Sequence, residues 1–214
     1  MNVRKILLDT ENFAAVDQAF AEIETQPIAC CNWPEKFPYT PKVAYKMFHT
    51  GEHLLLRFEV EERYTAARVT EDNGAVWTDS CVEFFVTPDD TGFYNFEITC
   101  IGRLLLGWRK SRNEGVVHAT PEVLATITRY TTLPEEPFEE REGDNRWVVT
   151  LKIPITALFR HHLTTWDGAQ MRMNLYKCGD NLSHPHFLSW RPIITESPDF
   201  HRPEFFETVV FEAK

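Results

Sequence analysis

Apolar and polar residues alternate with a period of two along most of this chain, and that pattern limits its fold more than any other feature. The alternation occupies residues 42–50, 51–62, 82–86, 93–100, 146–154 and 170–180, and it returns in 203–213. Successive side chains of a β-strand point to opposite faces, so each segment predicts a strand with one apolar face. Residues 102–108 and 125–130 are further candidate strands. Gly51 supplies a turn between the first two segments and indicates a hairpin.

Helical periodicity is confined to short stretches. Apolar residues spaced as in an amphipathic helix predict one helix within 12–24, and residues 155–159 resemble a single helical turn. A doubly wound α/β fold needs a helix between successive strands, which this chain lacks. The sequence therefore predicts an all-β protein, an antiparallel β-sandwich of two sheets, immunoglobulin-like or jelly-roll-like, with one or two short helices.

The length of 214 residues is typical of one sandwich domain, since such domains run to about 200–250 residues. We expect a single domain over 1–214, with residues 1–25 forming a strand and helix extension packed on the sandwich. The acidic, proline-containing run 133–144 is predicted to be a solvated loop rather than a linker, because strand patterns resume on both sides of it.

Charge and hydropathy exclude several partners. A formal net charge of −10 argues against nucleic acid and anionic membrane surfaces, which attract basic patches. No apolar run approaches the roughly 20 residues of a membrane span. The first residues contain too short an apolar run for a signal peptide, so the chain as given is compatible with the cytoplasm. A secreted or periplasmic location would follow if a signal peptide has been removed.

The five cysteines include no C-x-x-C pair, and Cys30 and Cys31 are adjacent. An odd number without ligand spacing argues against a disulfide framework and against a thiolate zinc site. Buried free thiols are the expected state. Ser80 lacks the glycines of a nucleophile elbow, and Cys81 has no local signature of a catalytic thiol, so neither is predicted to be a nucleophile.

The stretch WTDSCVEFFV, residues 77–86, combines a plausible core face with a chemically distinctive one. Val82, Phe84 and Val86 share the apolar face, whereas the opposite face carries Trp77, Asp79, Cys81, Glu83 and Phe85. Two other predicted strands have comparable faces, with Asn95, Glu97 and Thr99 on one and Arg172, Asn174 and Tyr176 on the other. These faces are either the solvated side of an antiparallel sheet or one wall of a binding site.

The residue types on these faces suit a sugar. A pyranose presents apolar C–H faces to aromatic rings and a rim of hydroxyls to carboxylates, amides and guanidinium groups, and ligand pockets combine an apolar lining with a few such polar groups. Trp77, Glu83, Asn95, Arg172 and Asn174 are of the required kinds. The segment 188–206 adds Trp190, Phe200 and His201 among proline-bounded turns, where loops commonly carry function.

Two pairs of motifs resemble the family 9 carbohydrate-binding modules, especially the stand-alone family-9-like proteins of carbohydrate-degrading bacteria. One pair is VWTDSCVEFFV with FYNFEITCIG, and the other is HFLSWRPI with PDFHRPEFF. The similarity extends from about Trp33 to the end of the chain. It implies a sandwich in which two aromatic rings hold a sugar, with polar groups beside them. No cofactor is implied for sugar binding, and a glycoside hydrolase on a separate chain is the implied partner.

Carried over residue by residue, the resemblance matches Trp77 to the first aromatic ring and Glu83 to the acidic hydrogen-bonding residue. Trp190 and Phe200 are the alternatives for the second ring, and Arg103 and Arg172 are the alternatives for the basic residue. Family modules often hold structural calcium, for which Asp79, Asp89 and Asp90 are candidate ligands. A plain acidic turn is the alternative for these aspartates, since the repeating pattern of a calcium loop is absent.

Two other functions compete with sugar binding. Asp79, Glu83 and Glu97 could supply the pair of carboxyls that glycoside hydrolysis requires. A metal- or haem-binding sandwich is the second rival, because His184 and His186 have the spacing of two ligands on one strand face and His161 and His162 are adjacent. Polar loop histidines are the alternative for both pairs.

Overall fold

Fourteen strands and two α-helices form the computed structural model, which describes residues 1–214. The helices are α1 (Phe13–Ala21) and α2 (Pro121–Ala125). The strands are β1 (Asn2–Val3), β2 (Gln26–Pro27), β3 (Cys30–Cys31), β4 (Lys42–His49), β5 (His53–Ala67), β6 (Cys81–Thr87), β7 (Phe93–Thr99), β8 (Leu104–Arg109), β9 (Val117–His118), β10 (Thr128–Thr131), β11 (Phe138–Pro154), β12 (Gln170–Cys178), β13 (Phe187–Ser189) and β14 (Glu207–Phe211). Neither helix is long and apolar enough to cross a membrane.

The strands form two sheets, and every pairing is antiparallel except that of β1 with β14. The first sheet has nine strands in the order β1-β14-β12-β6-β7-β8-β9, with β13 bonded to β12 and β3 bonded to β13. The second has five strands in the order β10-β11-β5-β4-β2. A core of buried apolar side chains from both sheets lies between them. The predicted antiparallel β-sandwich with short helices is confirmed.

The alternation in the sequence places side chains on the faces that it predicts. Val82, Phe84 and Val86 of β6 belong to the core between the sheets, whereas Cys81 and Phe85 belong to a second apolar cluster. That cluster lies on the outer face of the first sheet, because alternate residues of a strand point to opposite faces. Side chains along β7, β8 and β12 likewise alternate between the core and the second apolar cluster.

The outer face of the first sheet is covered rather than solvated. All seven residues of β6 and all seven of β7 are buried. Their outer side chains pack against apolar residues of irregular segments elsewhere in the chain, namely Trp33, Ile193, Phe200 and Phe206. The solvated-face alternative is therefore wrong for these strands, because distant segments cover the polar and apolar groups alike.

The N-terminal helix covers the outer face of the second sheet. Asn12 caps α1 by accepting a hydrogen bond from the backbone of Ala15, an arrangement that satisfies one free N–H of the first turn. Val16, Ala19 and Phe20 pack against Phe48 of β4 and Leu55 of β5. Helix α1 and the short strand β1 therefore both contact the sandwich.

The run 133–144 is only partly a loop. Strand β11 begins at Phe138, and its first half pairs with the last residues of β5 across two register irregularities. The prediction of a loop throughout is wrong for residues 138–144. The acidic side chains there lie on a strand that pairs with the end of β5, and they are exposed or half-buried.

Candidate functional site

The outer face of the first sheet contains a cleft of about 370 Å³, within the range of small-molecule pockets. It is lined by Asn73, Gly74, Ala75, Trp77, Glu83, Glu97, Leu105, Arg109, Arg112, Asn113, His118, Cys178, Asp180, Phe187, Pro198, Asp199, Phe200 and His201. A larger depression of about 740 Å³ near Glu61 and Arg63 has only one hydrophobic residue among its twelve, so it lacks the apolar wall of a ligand pocket.

Trp77 forms one wall of the cleft and is 38% exposed, an unusual exposure for so large an apolar ring. It lies in a single 3₁₀ turn, Val76–Thr78, that leads into β6. The Trp77 carbonyl accepts hydrogen bonds from the Asp180 backbone N–H at 3.1 Å and from the Cys178 thiol at 3.5 Å. These contacts fix the backbone from which the ring projects to the end of β12.

Asp79 fixes the other side of the same turn. Its buried Oδ2 accepts hydrogen bonds from the backbone N–H groups of Arg68 at 2.6 Å and Val69 at 2.7 Å, directly after β5. The two bonds join the two sheets at this point. Asp79 has the role of a structural carboxylate that supports the turn carrying Trp77, and it does not line the cleft.

The three aspartates predicted as calcium ligands are not brought together. Asp79 precedes β6 and Asp89 follows it, so the seven residues of that strand separate them by about 20 Å. Asp89 accepts hydrogen bonds from Thr91, and Asp90 forms an ion pair with Arg172. One calcium site shared by all three is excluded by this geometry.

The floor of the cleft is a row of polar groups on neighbouring strands. Glu83 of β6 lies directly opposite Glu97 of β7, and both side chains are buried. Arg109 Nε donates to Asn95 Oδ1 at 3.1 Å, and Asn95 Nδ2 donates to Glu97 Oε1 at 2.8 Å. Asn95 thus lies behind the lining residues and orients the two that a ligand would meet.

A glycine makes this arrangement possible. Gly107 of β8 is the direct cross-strand partner of Asn95, and a Cβ atom at position 107 would lie 2.7 Å from Asn95 Oδ1 and 3.4 Å from Arg109 Nη2. Any side chain at that position would occupy the space through which the guanidinium reaches the amide. The glycine therefore permits the hydrogen-bonded chain from Arg109 to Glu97.

The pKa values of the two buried carboxyls in the floor, Glu83 and Glu97, are raised. Burial raises the pKa of Glu97 to about 7, and the nearby Asp180 adds to the shift while Asn95 and Arg109 oppose it. Burial also raises the pKa of Glu83 well above its ordinary range, and the facing Glu97 contributes in the same direction. Near neutral pH the floor can therefore donate as well as accept hydrogen bonds.

We predict that Glu97→Gln changes how stability depends on pH. The ordinary pKa of the carboxyl is 4.5 and its folded value is about 7, so between these values the folded state holds more protons than the unfolded state. Stability from this group therefore falls as pH rises through that window. The variant should lose that fall and exceed the wild type at pH 8 by about 1–3 kcal/mol.

Urea unfolding at pH 5 and pH 8 measures the difference. The amide carbonyl that the substitution introduces at position 97 can still accept from Asn95, so the hydrogen-bonded chain is retained. The exposed Glu24 provides the control, and its change to Gln should leave the pH dependence of the wild type intact. An identical slope in Glu97→Gln and the wild type would contradict the prediction.

The wall opposite the first sheet comes from the segment 198–201. The Phe200 ring lines the cleft and stacks on Tyr176 at 4.2 Å with an angle of 7° between planes. His201 packs over Phe85, and its buried Nε2 has no hydrogen-bond partner within the protein. Burial lowers the pKa of His201, which favours a neutral ring.

Three predicted site residues lie away from the cleft. Trp190 is part of the core between the sheets, where its ring meets Tyr45 edge to face at 5.6 Å. Asn174 is fully buried and bonds the backbone of Arg191 and Phe205. Arg172 bonds Asp90 and the Pro203 carbonyl. These residues support the segments that cover the sheet, and they do not line the cleft.

Several lining residues were missed by the sequence reasoning. Arg109 lines the cleft, whereas neither of the two predicted arginines does, and Arg103 reaches the Glu135 carbonyl at 3.5 Å. The alternation contained the signal, since Leu105, Gly107 and Arg109 share a face, but the predicted strand ended at 108. Arg112, Asp180 and Asp199 lie in loops without periodicity, and the Arg112–Asp199 ion pair at 3.1 Å forms only in the folded chain.

The histidine pairs do not form ligand sets. His161 bonds Tyr94 at 2.7 Å and Asp89 at 3.2 Å, whereas the adjacent His162 is exposed. His184 stacks on Tyr64 at 3.9 Å, and His186 is buried against Lys177 at 2.7 Å. The members of each pair thus have different surroundings, so neither pair converges on one ion.

Comparisons with known proteins show the family of this chain and its fold. The model of carbohydrate-binding family 9 matches residues 13–211. A solved structure from Bacteroides uniformis, of a protein proposed to bind carbohydrate, is 43% identical over 99% of this chain and 98% of its own, with a TM-score of 0.93. No curated protein matches the chain.

Two more distant structures are of a family 9 module from Caldicellulosiruptor kristjanssonii. The complex with glucose is 12% identical with a TM-score of 0.57, and the complex with cellotriose is 11% identical with a TM-score of 0.56. Each covers 100% of this chain, and this chain covers 96% and 93% of them. At these identities the likeness shows the fold alone.

Proposed function

Because this chain belongs to carbohydrate-binding family 9, we propose that its cleft binds the pyranose ring of a sugar without converting it. The observation that carries the proposal is the exposed Trp77 ring beside a buried floor of carboxyl and guanidinium groups. An apolar wall next to a few oriented polar groups is the composition that a sugar requires.

Trp77 supplies the stacking surface. Its backbone is fixed on both sides of the turn, so only the two side-chain torsions of Trp77 remain to be ordered when a sugar covers the ring. Phe200 and Phe187 add aromatic surface to the same cleft. Of the two candidates for a second ring, Phe200 lies at the cleft and is the one that we propose.

Glu83, Glu97, Arg109 and His201 are the groups that we propose for the sugar hydroxyls. A carboxyl that keeps its proton near neutral pH can donate to one hydroxyl oxygen and accept from another. Arg109 only donates, and its guanidinium is oriented by Asn95. Each hydroxyl of a sugar both donates and accepts hydrogen bonds. A set of groups that contains donors and acceptors therefore fits the rim of a sugar ring.

The ligands seen in the distant structures suggest glucose and short β-glucan fragments for this chain. The cleft of about 370 Å³ is near the lower end of small-molecule pockets, which suits one or two rings. We assign breakdown of the polysaccharide to a glycoside hydrolase on a separate chain.

Titration calorimetry with glucose and cellotriose tests the proposal. Stacking and a few hydrogen bonds, offset by ordering costs, predict a dissociation constant of roughly micromolar to millimolar. Binding with about one site per chain supports the proposal. Absence of heat with these sugars and with a wider panel of mono- and disaccharides would contradict it.

Hydrolysis is the second candidate, because Glu83 and Glu97 are directly opposed across two strands. Direct cross-strand partners have Cβ atoms about 5 Å apart, close to the carboxyl spacing of a retaining glycosidase. However, both side chains lie on one floor, whereas catalysis needs the two groups to flank the scissile bond. New reducing ends released from cellotriose, and lost in Glu83→Gln, would favour hydrolysis over binding.

We predict opposite outcomes for two arginine variants. Arg109→Gln should weaken sugar binding by about tenfold or more, since hydrogen bonds from charged donors contribute roughly 1.5–3 kcal/mol. Arg172→Gln should leave the affinity unchanged, because Arg172 is bonded to Asp90 outside the cleft. Calorimetry of both variants with the same sugar measures the contrast, and a reversed order would overturn the assignment of Arg109.

A further inference from the structure

We propose that Cys81, Glu83 and Cys178 form a binding site for a thiophilic divalent metal ion such as Zn²⁺ at the floor of the cleft. The two sulfur atoms and a carboxylate oxygen of Glu83 all lie within 4.8 Å of one another, and all three residues are buried. This inference goes beyond sugar binding, and it concerns cysteines that sequence spacing alone did not associate.

The fold explains why residues so far apart in sequence meet. Cys178 at the end of β12 is the direct partner of Cys81 at the start of β6. Glu83 is two residues along β6 and therefore points to the same face as Cys81. Cys178 Sγ already lies 3.0 Å from Glu83 Oε1, in direct contact with it.

The distances between the three ligand atoms are close to those around a tetrahedrally coordinated zinc ion. Zinc–sulfur bonds of about 2.3 Å and zinc–oxygen bonds of about 2.1 Å place two sulfurs about 3.8 Å apart and a sulfur and an oxygen about 3.6 Å apart. Both separations fall within the 4.8 Å of the cluster. The contact between Cys178 and Glu83 has to lengthen by about 0.6 Å, which side-chain rotation can supply.

The ligand set and the surroundings both suit such an ion. Thiolates select soft and borderline metals, and two sulfurs with one carboxylate leave a fourth position open. Glu83 and Cys178 line the cleft, so an ion can enter from it. Binding releases the two thiol protons and any carboxyl proton to solvent, and the nearby Arg109 balances part of the remaining negative charge.

Cobalt titration of the full-length, reduced chain tests the proposal. Cys30 and Cys31 are first replaced by serine, because these adjacent, partly exposed thiols could bind a metal themselves. We expect one equivalent of Co²⁺ to give a thiolate-to-cobalt charge-transfer band in the near ultraviolet, and Zn²⁺ to remove it. The measurement involves no sugar, so its outcome is independent of the proposed function.

Variants in the same background identify the ligands. Cys81→Ser and Cys178→Ser should each weaken Co²⁺ binding by more than about tenfold and reduce the band. Cys100→Ser is the matched control, because Cys100 is also buried but lies in the core between the sheets. Circular dichroism confirms that each variant is folded, and Glu83→Gln replaces any variant that is not.

Three results would overturn the proposal. The first is the absence of a charge-transfer band in the reduced background protein. The second is a band of equal strength in Cys81→Ser, Cys178→Ser and the Cys100→Ser control. The third is a Cys81–Cys178 disulfide that persists under reducing conditions, since it would remove both sulfur ligands.

Discussion

Replacement of Trp77 by alanine is expected to reduce sugar binding by about 30-fold or more. Truncation of a tryptophan that anchors an interface typically costs at least about 2 kcal/mol, and each 1.4 kcal/mol is a factor of about ten in affinity. If the dissociation constant of the wild type is near millimolar, binding by the variant becomes too weak to measure by calorimetry. Titration calorimetry with glucose or cellotriose is the direct measurement.

The fold should tolerate this change. The hydrogen bonds that fix the turn are accepted by the Trp77 carbonyl, which alanine retains. Phe13→Ala is the matched control, because Phe13 is an aromatic residue of similar exposure, 41%, on helix α1 away from the cleft. Unchanged affinity in Trp77→Ala, or equal losses in the two variants, would remove the stacking role.

Glu62→Gln is expected to lower the free energy of unfolding by about 3–5 kcal/mol. Glu62 of β5 forms an ion pair at 2.9 Å with Lys177 of β12, and both side chains are fully buried. The pair thus joins the two sheets next to Cys178. Loss of the carboxylate charge leaves a buried ammonium group without its counterion, which accounts for the size of the effect.

A second substitution should restore part of the loss. Glu62→Gln combined with Lys177→Met removes both charges. The new amide carbonyl at position 62 can still accept from Trp147, which donates to Glu62 Oε1 at 2.8 Å. Urea denaturation of the single and double variants completes a double-mutant cycle, which measures the coupling energy between the two residues. A double variant as unstable as the sum of the two single changes would contradict this account.

Glu61→Gln is the control for the ion pair. Glu61 bonds Lys42 at 2.7 Å, but both side chains are exposed to water, so its loss should cost far less than the loss of Glu62. The two glutamates are adjacent in β5 and point to opposite faces, so the comparison isolates burial. Equal destabilisation by both variants would show that burial does not set the cost.

The sequence predicted the parts of this protein that depend on periodicity. Alternation alone placed Val82, Phe84 and Val86 in the core and put Trp77 and Glu83 at the other face. The family resemblance selected the same two residues, and the family is confirmed by the match over residues 13–211. Their roles toward a sugar stay predictions until binding is measured.

Features that depend on contacts between distant segments could not be predicted in this way. Nothing in the alternation shows that residues near Trp33 and in 193–206 cover the outer face of the first sheet. For the same reason, the sequence could not decide between Trp190 and Phe200 as the second aromatic ring. In the structure Trp190 packs between the sheets and Phe200 lines the cleft. Asp79 was ambiguous because its partners, the N–H groups of Arg68 and Val69, lie at the end of another sheet.

Burial of β6 and β7 on both faces has a further consequence for the cleft. Backbone hydrogen bonds in such strands open only when a large part of the protein unfolds, so the strands that carry Glu83, Asn95 and Glu97 have little local mobility. For the sugar site that we propose, this means that the polar groups are preorganised, because association does not have to immobilise them. Selectivity among sugars would then depend on which hydroxyl pattern matches a fixed template.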